Sequence, residues 1–192
     1  MKDSSARFYW QHIQNVTTVL DLGCGPGDLG KYKPPSTKVF GLEINPALVS
    51  LAKNYEISQV WDLDTPQPLP FDQGFFDAVV AKDILEHLTK PWLTLAEVRR
   101  VLKPQGIVLA SVICERGRRV WSDYTHVRGF TMQSVRQMFT DAGLDVLEVW
   151  RMGPIPLASR LNLTWMVPYA LRFPLFDWLW TSSYEIMARK RH

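Results

Sequence analysis

A chain of 192 residues suits one domain, residues 1–192, with room for an appended lid. With 46% hydrophobic and 21% charged residues it can build a packed core, and a net charge of +3 with dispersed Lys and Arg demands no nucleic-acid partner. No run approaches the roughly 18 to 20 apolar residues of a transmembrane segment.

The first residues, Met1 to Ser5, lack the apolar run of a signal peptide. Val16 to Leu22 reads as a β-branched first strand that ends in glycines. A short helix can follow from Asp28 and must stop by Pro34-Pro35. Lys38 to Glu43 reads as a second strand, and Pro46 to Asn54 as its helix, with Asn45 as N-cap. Ile57 to Leu63 and Phe76 to Ala81 are the third and fourth strands. Pro91 opens a helix with Leu95, Val98 and Leu102 on one face and Lys103 at its end. Gly106 to Cys114 carries almost no charge, as a strand buried on both faces does. Thr131 caps a helix with Val135, Met138, Phe139 and Ala142 inward, stopped by Gly143. Asp145 to Arg151 and Tyr184 to Lys190 complete seven strands, and the alternation predicts an α/β sheet with crossovers. Cys24 and Cys114 sit in apolar, strand-like surroundings that match neither a disulfide framework nor a zinc ligand set. No metal is expected, and a reducing, cytoplasmic setting is.

The deciding motif is Val19-Leu20-Asp21-Leu22-Gly23-Cys24-Gly25-Pro26-Gly27, a strand running into a glycine turn. Glycines allow positive φ and close approach of a ligand, and the end of the first strand in such a sheet is a nucleotide-binding place. Sixteen residues after Gly27, Glu43 stands at the tip of the second strand, where a carboxylate can take two ribose hydroxyls. Gly25-Pro26-Gly27-Asp28-Leu29-Gly30 also spells a dinucleotide fingerprint. Against a nicotinamide enzyme, Asp21 lies where a pyrophosphate would be repelled but an ammonium attracted, and little chain is left for a catalytic domain.

Asp21 to Gly27 resembles the first motif of class I (Rossmann-like) S-adenosylmethionine-dependent methyltransferases. Gly41-Leu42-Glu43-Ile44, Trp61-Asp62-Leu63-Asp64, Leu69-Pro70-Phe71, Phe75 to Val79, Leu85-Glu86-His87-Leu88 and Leu102 to Gly106 resemble later motifs in order, over roughly residues 16 to 150. The resemblance implies a doubly wound seven-stranded sheet, mostly parallel with one antiparallel strand, helices on both faces, and S-adenosylmethionine as cofactor. It implies that Gly23, Cys24, Gly25 and Gly27 hold the methionine end and that Asp21 favours its ammonium. Glu43 would bind the ribose and Ile44 pack on the adenine, unless Ile44 is plain core. Asp62, with Leu63 beside it, would accept from the adenine amino group, Asp64 being a close rival. Lys82 would line the pocket mainly through its backbone. Cys24 reads as a small buried residue and Asp77 as structural.

Two places could supply a base for the acceptor. One is Glu86-His87; the other is Asp123 to Arg128, where His126 could act with Asp123 orienting it. The second string resembles a loop in a subset of these enzymes, some of them from cell-surface sugar pathways. Bracing of the loop by Asp123 and His126, and cofactor packing or a helix-start contact by His87, are the structural alternatives. Arg116, Arg118 and Arg119 could meet an anionic acceptor or form a solvated loop. The aromatic-rich segment 155–182 reads as packing on the sheet, an acceptor lid, a homodimer surface or a peripheral membrane contact. The expected activity is methyl transfer to oxygen of a small-molecule or glycan acceptor. A nucleic-acid methyltransferase lacks support in Lys82-Asp83-Ile84-Leu85, which holds no Pro-Pro-aromatic string for a flipped base. A non-catalytic cofactor-binding scaffold is the third reading.

Overall fold

The computed structural model describes residues 2–116, 120–153, 166–170, 172, 175 and 181–191. Its centre is one seven-stranded sheet in the order β3-β2-β1-β4-β5-β7-β6. The strands are β1 Thr18–Leu22, β2 Lys38–Glu43, β3 Ile57–Val60, β4 Phe76–Lys82, β5 Leu102–Ile113, β6 Leu144–Met152 and β7 Ser183–Lys190. The first five pair in parallel, while β7 runs antiparallel to both β5 and β6. The expected mostly parallel sheet with one antiparallel strand is therefore present.

Alternation along the strands sends side chains to two faces. Leu20, Leu22, Val79, Ala81, Val108 and Ala110 pack with Leu95, Val98 and Val101 of α3 (Pro91–Val101) and with Val135 and Phe139 of α4 (Met132–Asp141). Val19, Val39, Ala78, Val80 and Leu109 face the other way, against Ala6 and Tyr9 of α1 (Lys2–His12) and Ile13 just beyond its end. Helices thus cover both faces. The sequence reading has no counterpart to α1, although Ala6, Tyr9 and Ile13 repeat at i, i+3 and i+7 as one helix face requires.

Several expected boundaries move. Helix α2 spans only Pro46–Val49, not Pro46 to Asn54. Its Asn45 cap is as expected, the side chain accepting from Ala47 N. The chain then turns, and this turn carries Tyr55 beneath the glycine loop. Strand β3 stops at Val60, not Leu63, because its partner β2 stops at Glu43; Trp61 N donates the last bond to Glu43 O at 2.9 Å. Leu102 opens β5, paired with Phe76, and so lies outside the preceding helix. The capping box at Thr131 and Ser134 fixes the start of α4 at the expected place.

Candidate active site

Strands β1 and β2 set the glycine turn. Gly23 N and Cys24 N both donate to Leu42 O, at 2.8 and 3.0 Å, which folds the chain back at the tip of β1. Gly23, Gly25 and Gly27 all have positive φ, at 67°, 51° and 85°. Gly23 must also lack a side chain for space, because a Cβ there would stand 2.9 Å from Ile84 Cδ1. At Gly25 a Cβ would meet nothing within 4 Å and would intrude on the cradle itself. Asp21, Gly23, Cys24, Gly25 and Lys82 line one cavity of ≈180 Å³, joined by Ala6 and Tyr9 of α1.

Asp21 is buried, and burial pushes its carboxyl up to about 7 although Tyr55 donates its hydroxyl proton to Oδ2. A cationic ligand in the cavity would restore the ionised form. Sequence reasoning missed Tyr55. Cβ atoms at Gly27, Gly30 and Gly41 would stand 3.2, 2.5 and 2.7 Å from its ring, so three glycines make its slot. Gly30 is therefore a packing residue, which accounts for the accidental dinucleotide fingerprint. Gly27 does not line the cavity; it packs on Ala52 and Tyr55.

Glu43 is pre-set by the backbone. Its Oε2 accepts from Gly25 N at 3.0 Å and its Oε1 from Asn45 N at 2.9 Å. Each carboxylate oxygen keeps a second lone pair for a diol. Ile44 is 62% exposed, which discards the plain-core alternative and leaves an apolar platform beside Glu43. Asp64 is committed to Thr89, accepting from its N and Oγ1 at 2.9 and 3.1 Å. Its rival Asp62 is exposed, and its Oδ1 accepts from Asp64 N. Ile44, Asp62 and Leu63 stand outside the cavity that Asp21 lines.

Cys24 has its thiol pushed up to about 12 by burial and the nearby Asp21 and Glu43, so it is no nucleophile. Asp77 is structural: Oδ2 accepts from Thr17 N, Thr17 Oγ1 and Thr18 N, and Oδ1 from Lys103 Nζ at 2.7 Å. Partial burial opposes ionisation there, yet these donors hold the carboxyl well below its usual range.

The two candidate base loops meet. Val127 N donates to Glu86 O at 3.0 Å, and the rings of His87 and His126 lie 4.7 Å apart, edge to face. His126 Nδ1 contacts Val120 O at 2.6 Å. A carbonyl only accepts, so Nδ1 carries the proton and Nε2 the lone pair. This corrects the expected orienting role of Asp123, whose Oδ1 accepts instead from Thr125 N and Oγ1 at 2.9 and 2.6 Å. Those bonds hold the exposed Asp123 carboxyl below its usual range. Thr125 Oγ1 also contacts His87 Nδ1 at 2.9 Å.

Tyr9 and Glu185 were likewise missed. Tyr9 donates to Glu185 at 2.9 Å, tying α1 to β7, and burial pushes the Glu185 carboxyl up to about 8. Arg118, Arg119 and most of segment 155–182 lie outside the described residues; Arg116 pairs with Glu115.

Residues 20–110 match the family model described as a methyltransferase domain. The chain is 31% identical over 106 residues to a ubiquinone biosynthesis O-methyltransferase of Xanthomonas campestris, covering 50% of this chain and 42% of that one. It is 27% identical over 128 residues to a malonyl-[acyl-carrier protein] O-methyltransferase of Legionella pneumophila, covering 58% and 44%. The chain spans less than half the length of these curated relatives. A crystal structure of an S-adenosylmethionine-dependent methyltransferase from Archaeoglobus fulgidus superposes with a TM-score of 0.78 at 17% identity, covering 98% of this chain and 92% of that one. The family's cofactor is S-adenosylmethionine, and the buried Asp21, the open Gly25 cradle and the pre-set Glu43 suit its ammonium, methionine end and ribose. With this sheet order, this glycine turn and the match of residues 20–110 to a methyltransferase domain, the chain has the fold of the class I, Rossmann-like S-adenosylmethionine-dependent methyltransferases and resembles them over about half its length.

Proposed function

We propose that the protein transfers the methyl group of S-adenosylmethionine to a hydroxyl of a small-molecule or glycan acceptor. The observation that carries this reading is the meeting of the His87 and His126 loops just past β4, with His126 Nδ1 pinned by Val120 O and Nε2 left basic. A hydroxyl acceptor must shed a proton during transfer, and a positioned neutral imidazole can take it. Bound cofactor supplies an activated methyl on a sulfonium, whose sulfur keeps the electron pair when the new C–O bond forms. Asp21 and the Gly23–Gly27 turn hold the methionine end, Glu43 the ribose, and Ile44, Asp62 and Leu63 the adenine. Lys82 lines the same cavity, and Tyr9 bounds it from α1. Similarity to a ubiquinone biosynthesis O-methyltransferase and a malonyl-[acyl-carrier protein] O-methyltransferase supports oxygen as the methylated atom. The free, buried Cys24 and Cys114 support a reducing, cytoplasmic setting. No described helix is long and apolar enough to cross a membrane.

The test is a screen of hydroxylated acceptors for formation of S-adenosylhomocysteine, followed by His126→Gln on any substrate found. The variant should lose about 10²- to 10⁴-fold in kcat with cofactor affinity unchanged. Cofactor binding without transfer to any hydroxylated acceptor would favour the scaffold reading instead.

A further inference from the structure

We propose that His87, Asp123 and His126 together form a site for one divalent transition-metal cation of the zinc class. One nitrogen of each ring and a carboxylate oxygen of Asp123 lie within 4.8 Å of one another. A cation bound at about 2.0 to 2.2 Å needs its ligands roughly 3 to 4 Å apart, so closure asks for side-chain movements of about 1 Å. Both imidazoles already have the outer hydrogen bond that metal-binding histidines use. His126 Nδ1 donates to Val120 O. His87 Nδ1 meets Thr125 Oγ1, whose own proton goes to Asp123 at 2.6 Å, so His87 donates from Nδ1 as well. Such contacts fix the tautomer and place the lone pair of each neutral ring on Nε2. Two imidazoles and one carboxylate suit zinc, cobalt or iron(II), and they leave coordination positions open for water or an acceptor oxygen.

Neighbouring charge does not forbid this. The Arg128 guanidinium donates from Nη2 to Thr89 O at 2.7 Å and lies over the Trp92 ring, with its Nε buried and unpartnered among the described residues. Lys82 is paired with Asp83. Asp123 brings the negative charge, and its exposure gives a cation a route from solvent.

The inference rests on reading these loops as the acceptor side and deepens it. An acceptor hydroxyl bound to the cation would be acidified directly and lose its proton to solvent, with His126 Nε2 serving as ligand in place of base.

The experiment is titration of the full chain, stripped with chelator and desalted, with cobalt(II) followed by visible absorption and with zinc(II) followed by calorimetry. S-adenosylmethionine binding is measured on the same samples. The expected result is one saturable equivalent of each metal, with ligand-field bands of a low-coordinate cobalt site. His87→Ala, His126→Ala and Asp123→Ala should each weaken binding at least about tenfold, while His12→Ala leaves it unchanged. Asp123 is exposed, so its variant tests the site even if a histidine variant folds poorly. Absence of saturable binding, or binding that survives the double histidine variant, overturns the metal site. Metal binding without cofactor binding supports this site and counts against the methyltransferase reading, so the two failures are separable.

Discussion

Asp21 is the residue on which cofactor capture turns. Burial lifts its carboxyl to about 7, and the Tyr55 hydroxyl works in the opposite direction. Only the ionised form attracts an ammonium. Affinity for S-adenosylmethionine should therefore fall about tenfold between pH 8 and pH 6, since a group with a pKa near 7 crosses from mostly ionised to mostly protonated there. Calorimetry across that range should show a flat, weak profile for Asp21→Asn. Tyr55→Phe removes the lowering hydrogen bond, so its midpoint should move up by about one unit. An unmoved midpoint would separate Tyr55 from cofactor binding and leave it a packing residue. Asp21 and Glu43 were legible in the sequence because both sit at strand ends beside a glycine turn. Tyr55 was not, because it reaches Asp21 through a bend that depends on an early end to α2. Its one trace in the sequence is the trio Gly27, Gly30 and Gly41, whose shared purpose appears only in space.

At the scale of elements, the core strands were readable because two-sided burial imposes nearly continuous apolar runs, as in β4 and β5. Their ends were less so. A strand lasts only as long as its partner, as β3 shows against β2, and pairing is not written locally. Helix α1 was invisible for a different reason. It offers two core-facing residues, Ala6 and Tyr9, with Ile13 just past its end, the flanking Phe8 and Trp10 blur the one-face pattern, and it is held by the sheet and by Tyr9 on Glu185. Ile13→Ala should then cost about 2 to 4 kcal/mol and loosen the wall of the cofactor cavity. Denaturant unfolding would check the first effect and calorimetry the second. Asp77→Ala should behave differently. It removes the clamp between the starts of β1 and β4 and the Lys103 pair, which should lower stability by about 2 to 3 kcal/mol. Cofactor affinity should stay within about twofold, because the clamp lies at the opposite ends of those strands. A large loss of affinity without loss of stability would contradict its structural assignment.

For the molecule as a whole, the strand order explains why one rim collects the chemistry. The chain lays β1, β2 and β3 outward in one direction, then returns to place β4 on the other side of β1. The crevice at that reversal, outside the carboxyl ends of parallel strands, is the ligand site expected of open α/β sheets. Asp21, Glu43 and Lys82 come to it from three different strands, and the His87 and His126 loops follow β4 and β5. The motif order along the chain made the rim legible, whereas the joining of the two histidine loops depended on the long return through β5. The central claim is that this rim takes S-adenosylmethionine through Asp21, the glycine turn and Glu43. Its most direct test is calorimetric titration of the full chain with S-adenosylmethionine and, separately, with NAD, alongside Glu43→Ala. Saturable binding of S-adenosylmethionine alone, weakened at least about tenfold in the variant as loss of a charged hydrogen-bond acceptor implies, is the expected result. Binding of NAD instead, or S-adenosylmethionine affinity indifferent to Glu43, would contradict it.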